Sequence, residues 1–282
     1  MYRTRAIATG MDSLTKRADR RAVRSAACYR RSMRLPVIAL ALVACRGQAT
    51  SSAIDASIDI DALIDARGPC LPAMVLVDGA FCIDQYEGAL EELGQDGLYH
   101  AASPYQQVAG RTVRAVPAAG VVPQGYISGA EAATACAAAG KRLCTATEWL
   151  LACHGSPSRV WPYGDSHLAG ACNDDYSGSP VVNYFGTSTG VFDSVHMNDP
   201  GINMQAGTVA RGGERTQCVS QWGAFDMHGN LHEWVDDPAG TFRGGFYADA
   251  SINGPGCTYT TTAHAFTYHD YSTGFRCCAS AH

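Results

Sequence analysis

Gly140-Lys-Arg-Leu-Cys-Thr-Ala-Thr-Glu-Trp149 reads as the stop of one helix followed at once by the start of another. Gly140 closes an Ala-rich run. Thr145-Ala-Thr-Glu148 then has the spacing of a capping box, in which the Thr oxygen accepts an orphan amide and the Glu reaches back to the cap amide. The helix it opens is expected to run through Cys153 and end at Gly155. Ser128-Gly-Ala-Glu131 repeats the device upstream and predicts a helix to Ala139. Strands are expected at Met74–Asp78 and Phe81–Tyr86 around an Asp78-Gly79 turn, then at Thr241–Tyr247 and Gly274–Cys278. Between about 156 and 220 the chain is mostly Gly, Ser, Asn, Asp and Pro. So long an aperiodic stretch is usually functional, or held by ligands and cross-links. The pattern gives an α+β domain with large loops and names no activity.

Composition narrows the classes. The 282 residues are 17% charged and 46% hydrophobic, with a net charge of −5. That excludes a disordered acidic tail and a basic nucleic-acid binder, so no nucleic acid partner is expected. The charge is uneven. Residues 1–34 hold ten Lys/Arg against Asp12 and Asp19, whereas residues 35–282 hold eleven basic and twenty-four acidic side chains. The only long apolar run is Leu35–Ala44, ten residues, against the ~20 that a membrane-crossing helix requires. A basic segment, a short apolar core and small residues before Cys45 are the parts of a secretory signal. Leu42-Val43-Ala44-Cys45 resembles a bacterial lipobox, which implies lipidation of Cys45. Arg46 rather than Asp after that Cys implies the outer membrane of a Gram-negative cell envelope. The alternative is a chance Cys after a signal peptide. The start codon is Met1, Met11 or Met33.

The domains expected are therefore a signal segment over 1–45, an Asp/Ala-rich tether over 46–73 and a globular domain over 74–279. A short amphipathic helix within 54–65 is the alternative to a plain tether. Twelve Cys are present, and ten remain beyond Cys45: Cys70, Cys82, Cys136, Cys144, Cys153, Cys172, Cys218, Cys257, Cys277 and Cys278. An even number in an exported chain implies disulfides. The chain has no CxxC pair, the spacing a structural zinc site would use. Cys277 and Cys278, adjacent on a strand, are expected to point to opposite faces and to bond to different partners.

Seven segments in order resemble one family. They are Phe81-Cys-Ile-Asp-Gln-Tyr-Glu87, Gly140–Trp149, Trp161-Pro-Tyr-Gly-Asp165, Cys172-Asn173, Gly229-Asn-Leu-His-Glu-Trp234, Arg243-Gly-Gly245 and Gly274-Phe-Arg-Cys277. Together they resemble the formylglycine-generating enzymes, or sulfatase-modifying factors. The resemblance implies a C-type-lectin-like fold with few regular elements, large loops, calcium and disulfides. It implies Cys136–Cys277 and Cys153–Cys257 as two of those disulfides. The other six Cys are not fixed by it; Cys70–Cys82, Cys172–Cys218 and Cys144–Cys278 are one possible set. The family's enzymes oxidise a substrate Cys with copper(I) held by two thiolates, soft ligands suited to that ion. Here the two copper positions fall at Asp249 and near Gly254, so copper is not expected. Phe246 replaces a Ser, and His232 replaces a Trp, at further family positions.

Calcium is the cofactor that the resemblance does imply. Carried over, Asp226 and Glu233 supply carboxylates and Gly229 and Leu231 supply carbonyls, the hard oxygens that calcium takes. A second set would start at Asn173 and Asp174. The alternative is that these residues cap turns. His228 and His232 stand four apart, but Gly229-Asn230 argues for a turn, which would not aim both at one metal. Phe246, Tyr247, Asp249 and His232 are candidates to line a pocket, with Tyr259, Phe266, Tyr268 and Asp270 nearby. The function expected is a lipid-anchored binding or structural module, touching an exported protein, peptide or glycan. The alternative is a formylglycine-generating-type oxidoreductase.

Overall fold

The structure is a computed structural model that describes residues 68–282. The signal segment, Cys45 and residues 46–67 of the expected tether lie outside the described residues. The domain opens with β1 (Met74–Val77) and β2 (Phe81–Asp84), an antiparallel hairpin. Asp78 and Gly79 turn it with positive φ values of 50° and 68°, a geometry that Asp and Gly tolerate. A meander follows of β3 (Gly88–Leu93), β4 (Tyr99–Ala101) and β5 (Val113–Pro117), in the order β4-β3-β5. Then come α1 (Gly129–Ala138), β6 (Arg142–Leu143) and α2 (Ala146–His154).

Both capping boxes form. Ser128 Oγ accepts the Glu131 amide at 3.3 Å and Glu131 accepts the Ser128 amide at 2.9 Å; Thr145 and Glu148 repeat this at 3.2 and 2.9 Å. Each satisfies amides that a helix N-terminus otherwise leaves bare. The aperiodic stretch after α2 contains only α3 (Pro180–Phe185) and a 3-10 turn at His196–Asn198. Cys172–Cys218 closes most of it into a loop.

The last strands are β7 (His232–Trp234), β8 (Phe242–Arg243), β9 (Thr260–Thr261), β10 (Thr273–Phe275) and β11 (Cys277–Ser280). They correct two expectations. Thr241–Tyr247 shrinks to β8, because Gly244 and Gly245 both take positive φ, 85° and 74°, which a strand cannot continue through. Gly274–Cys278 is not one strand but two. β10 pairs in parallel with β7 in the sheet β10-β7-β8-β9, and β11 pairs antiparallel with β2 and β6 in the sheet β1-β2-β11-β6. Arg276 marks the crossing, its side chain drawn into the interior. The segment read as a turn around Gly229 passes directly into β7.

Five disulfides join these pieces: Cys70–Cys82, Cys136–Cys277, Cys144–Cys278, Cys153–Cys257 and Cys172–Cys218. Cys136–Cys277 fastens α1 to β11, and Cys153–Cys257 fastens α2 to the loop before β9. The adjacent Cys277 and Cys278 leave on opposite faces of their strand to different partners. Cys70–Cys82 fixes the segment ahead of β1 to β2, so residues 70–73, expected in the tether, belong to the folded domain. Trp149, Trp234, Phe275 and Met227 are fully enclosed in the interior. Among the described residues no helix is long and apolar enough to cross a membrane.

Candidate functional site

The turn from Asp226 to Asn230 is the most constrained backbone in the domain's centre. Asp226, Gly229 and Asn230 all take positive φ, 59°, 76° and 57°. Asp and Asn are the non-glycine residues that bear this most readily. At Gly229 the chain bridges to Asn173, and a Cβ there would collide with the Asn173 carbonyl. Asn230 is held on both ends of its amide. Its Oδ1 accepts the Ala210 amide at 2.8 Å and Asn173 Nδ2 at 2.9 Å, while its Nδ2 donates to Glu87. Glu87 also accepts the Leu231 amide at 3.0 Å. Such strain persists only where surrounding bonds over-determine it.

β7 then carries Glu233 into a fully buried charge network. Arg276 donates to Glu233 through Nε and Nη2, both at 2.7 Å, and to the carbonyls of Asp84 and Phe225 at 2.9 and 2.7 Å. Trp149 Nε1 adds a third donor to Glu233 at 2.7 Å. Lys141 pairs with Asp84 at 2.7 Å. Four buried carboxylates (Asp84, Glu87, Asp226 and Glu233) thus face two cations, Lys141 and Arg276. Burial, with Asp226 and Glu233 nearby, pushes the Glu87 carboxyl well above the usual range, and burial pushes Asp226 up to about 6. Either protons or a divalent cation must cover the two excess negative charges.

The first calcium set fits on this charge balance and on donor type. Asp226 commits one oxygen to the Gly213 amide at 2.7 Å. Glu233 would share its oxygens with Arg276 and Trp149. The second set is not brought together by its side chains. Asn173 Nδ2 donates to Thr208 O and Asn230 Oδ1, whereas the Asp174 carboxylate turns to His167 and His228.

The copper positions are occupied by loop architecture. Asp249 Oδ1 accepts the amides of Ser251 and Ile252 at 3.4 and 3.2 Å, and its Oδ2 accepts the Tyr259 hydroxyl at 3.1 Å. Gly254 sits at φ 120°, in a region proper to glycine, with its amide on Ser251 O. Neither position has a thiol, and all ten described cysteines are in disulfides. The residues present do not fit copper(I).

The expected pocket residues are largely packed against one another. His232 lies among the rings of Phe242, Phe246 and Tyr259, with centroids 4.4, 5.0 and 5.5 Å away. Burial, with a smaller contribution from His264, pushes its imidazole down to about 3. Tyr247 is fully buried and donates to Asn203 Oδ1 at 2.8 Å. Phe266 packs on Trp234, and Tyr268 donates to buried Asp270 at 2.5 Å. His228 and His232 therefore serve separate neighbourhoods. Sequence reasoning assigned no role to Asp84, Glu87, Trp149 or Arg276, the residues that anchor the turn. The signal was present in Phe81-Cys-Ile-Asp-Gln-Tyr-Glu87, where two acids interrupt an apolar strand.

Residues 75–281 match the family described as Sulfatase-modifying factor enzyme 1-like domain (FGE-sulfatase). No match is found among curated proteins. Among solved structures the chain is similar to the Major Tropism Determinant I1 variant, at 14% identity and a TM-score of 0.44, covering 76% of this chain and 54% of that one. It is similar to the U1 variant at 16% identity and a TM-score of 0.41, with the same coverage. CarF is similar at 20% identity and a TM-score of 0.31, covering 49% of this chain and 47% of that one. The chain thus spans about half the length of these structures. With residues 75–281 of its α+β domain matched by the family model, the chain belongs to the sulfatase-modifying-factor (FGE-sulfatase) family.

Proposed function

We propose that this chain is a cell-envelope binding or structural module built on the sulfatase-modifying-factor scaffold. The observation that supports this is the thiol inventory: ten described cysteines in five disulfides, and no Cys at Asp249 or near Gly254, where the resemblance implies the copper ligands. A copper(I) oxidase of this type requires thiolates, and disulfide sulfurs supply none. Non-reducing peptide mapping of the exported protein is expected to find no free thiol between Cys70 and Cys278. Copper(I) is expected not to bind stoichiometrically, and a Cys-bearing peptide not to gain formylglycine. Two free thiols, one equivalent of copper and peptide oxidation would restore the oxidoreductase reading.

Cys45 anchors the chain by a lipid in this reading, at the outer membrane. Cys45→Ser is expected to shift the protein from the membrane to the soluble fraction. Continued membrane retention would refute the anchor.

Calcium belongs to the proposal as a stabilising ion at Asp226, Gly229, Leu231 and Glu233, where it would neutralise the buried excess of carboxylates. An ion bound only to the folded state, at ~100 times its Kd, stabilises by about 2.7 kcal/mol. For a domain of this size that corresponds to a fall of roughly 5–10 °C in Tm when a chelator removes it. An unchanged Tm, together with no calcium by elemental analysis, would sink the ion site.

A further inference from the structure

A second cluster stands apart from the buried network and from the copper positions. Asp174 receives two imidazoles on one oxygen: His167 Nε2 at 2.8 Å and His228 Nε2 at 3.2 Å. The Asp174 and His228 side chains are only 4% and 3% exposed. Yet Asp174 Oδ1 and His228 Nδ1 have no hydrogen-bond partner. Both residues line a cavity of about 280 Å³, walled opposite by Trp161 and by the loop from Ala250 to Gly256. Buried polar atoms are rarely left unpaired, and each one calls for an explanation.

The orphan atoms specify what could enter. In the neutral tautomer that donates Nε2–H to Asp174, His228 Nδ1 presents a lone pair. Asp174 Oδ1 presents another, on a carboxylate. Two acceptors and a negative charge call for a donor-rich cation. Trp161, tilted at 49° to the His167 ring with centroids 5.8 Å apart, adds an aromatic wall that favours a cation. The surrounding field has the same sense, since residues 68–282 carry nine Lys/Arg against twenty Asp/Glu. The volume lies just under the range for drug-sized ligands, which suits a single aliphatic side chain. His167 and His228 both spend Nε2 on Asp174, and among the described residues no three His, Cys, Asp or Glu side chains gather in a metal-binding arrangement.

We infer that the cleft between Trp161, Asp174, His228 and the 250–256 loop binds a primary alkylammonium group, as carried by a lysine side chain of a peptide or by a free diamine. The loop that bears copper thiols in the family here walls a cation pocket. This deepens the binding-module reading and rests on it. The thiol and copper measurements judge that reading separately, so the two can fail independently.

The test uses the full exported protein, titrated by calorimetry and by NMR of the His and Trp signals. The probes are a lysine-containing peptide blocked at both ends, 1,5-diaminopentane and 1-pentanol. Saturable shifts at Trp161, His167 and His228 with the blocked peptide, weakened at least tenfold in Asp174→Asn and in Trp161→Ala, support the site and assign it to peptide lysine. Equal or tighter binding of the diamine supports the same chemistry and assigns it to a free amine. Trp161 is only half-buried, so its variant keeps the test valid if Asp174→Asn fails to fold. Pentanol binding as well as the amines, or no probe binding at millimolar concentration, overturns the inference. So does calcium saturating the same signals while the amines leave them unmoved.

Discussion

Arg276→Met is expected to lower the unfolding free energy by about 3–5 kcal/mol, the cost typical of removing one partner of a buried ion pair. The side chain has no solvent access and makes four hydrogen bonds, two of them to Glu233. Without it Glu233 retains only Trp149 as a donor, and Glu87 and Asp226 lose the cation they share. Replacing Glu233 as well, as in Arg276→Met with Glu233→Leu, is expected not to restore stability, because those two carboxylates stay buried beside an apolar residue. Urea unfolding at neutral pH measures both variants. A loss below ~1 kcal/mol in Arg276→Met would show that the network is hydrated or neutral rather than ionised.

Removing the cross-links to β11 is the second large effect. Cys136 and Cys277 are 141 residues apart in sequence, but Cys144–Cys278 closes nearly the same loop, so the ~5 kcal/mol that the chain-entropy account assigns to such a closure is lost only when both bridges to β11 are removed. Cys70 and Cys82 are 12 apart, for which the same account gives ~3 kcal/mol. Removing both bridges to β11 (Cys136→Ser, Cys277→Ser, Cys144→Ser and Cys278→Ser) is therefore expected to cost more stability than removing Cys70–Cys82, and to leave the domain unfolded at 37 °C if its margin is ordinary. The readout is the denaturation midpoint of each purified variant. Equal losses in the two variants would show that native-state strain or residual unfolded structure outweighs loop entropy.

Local chemistry was legible where a motif acts within a few residues. Ser128/Glu131 and Thr145/Glu148 name their own helix starts, and Asp78-Gly79 names its own turn. Order along the chain also sufficed for the family, because Gly-Gly, GNxxEW and GFRC stand at recognisable spacings. What could not be read was anything set by long-range partners. β7 and β10 are three residues each and have no period to detect; they exist because parallel pairing aligns His232 with Thr273 and Trp234 with Phe275. Glu87 lies 143 residues from Asn230, whose turn it supports, and Asp174 meets His228 across 54 positions. No local pattern announces such meetings. The aromatics near Phe246 were visible as a set, but whether they enclose space or fill it depends on packing that spacing does not encode.

The position of β11 has a consequence for how the molecule comes into being. This strand lies between β2 and β6 in its sheet and bears two cysteines, yet among the domain's elements it is made last. The residue just ahead of it is the guanidinium that the interior carboxylates await. During synthesis the sheet therefore remains incomplete until the end, with the β2 edge open and Cys136 and Cys144 without their native partners. Only the Cys70–Cys82 and Cys172–Cys218 bridges and the Cys153–Cys257 staple can close earlier. Where an oxidant is present the final strand completes the sheet and its two bridges together, whereas in a reducing compartment the bridges that fasten that strand do not form.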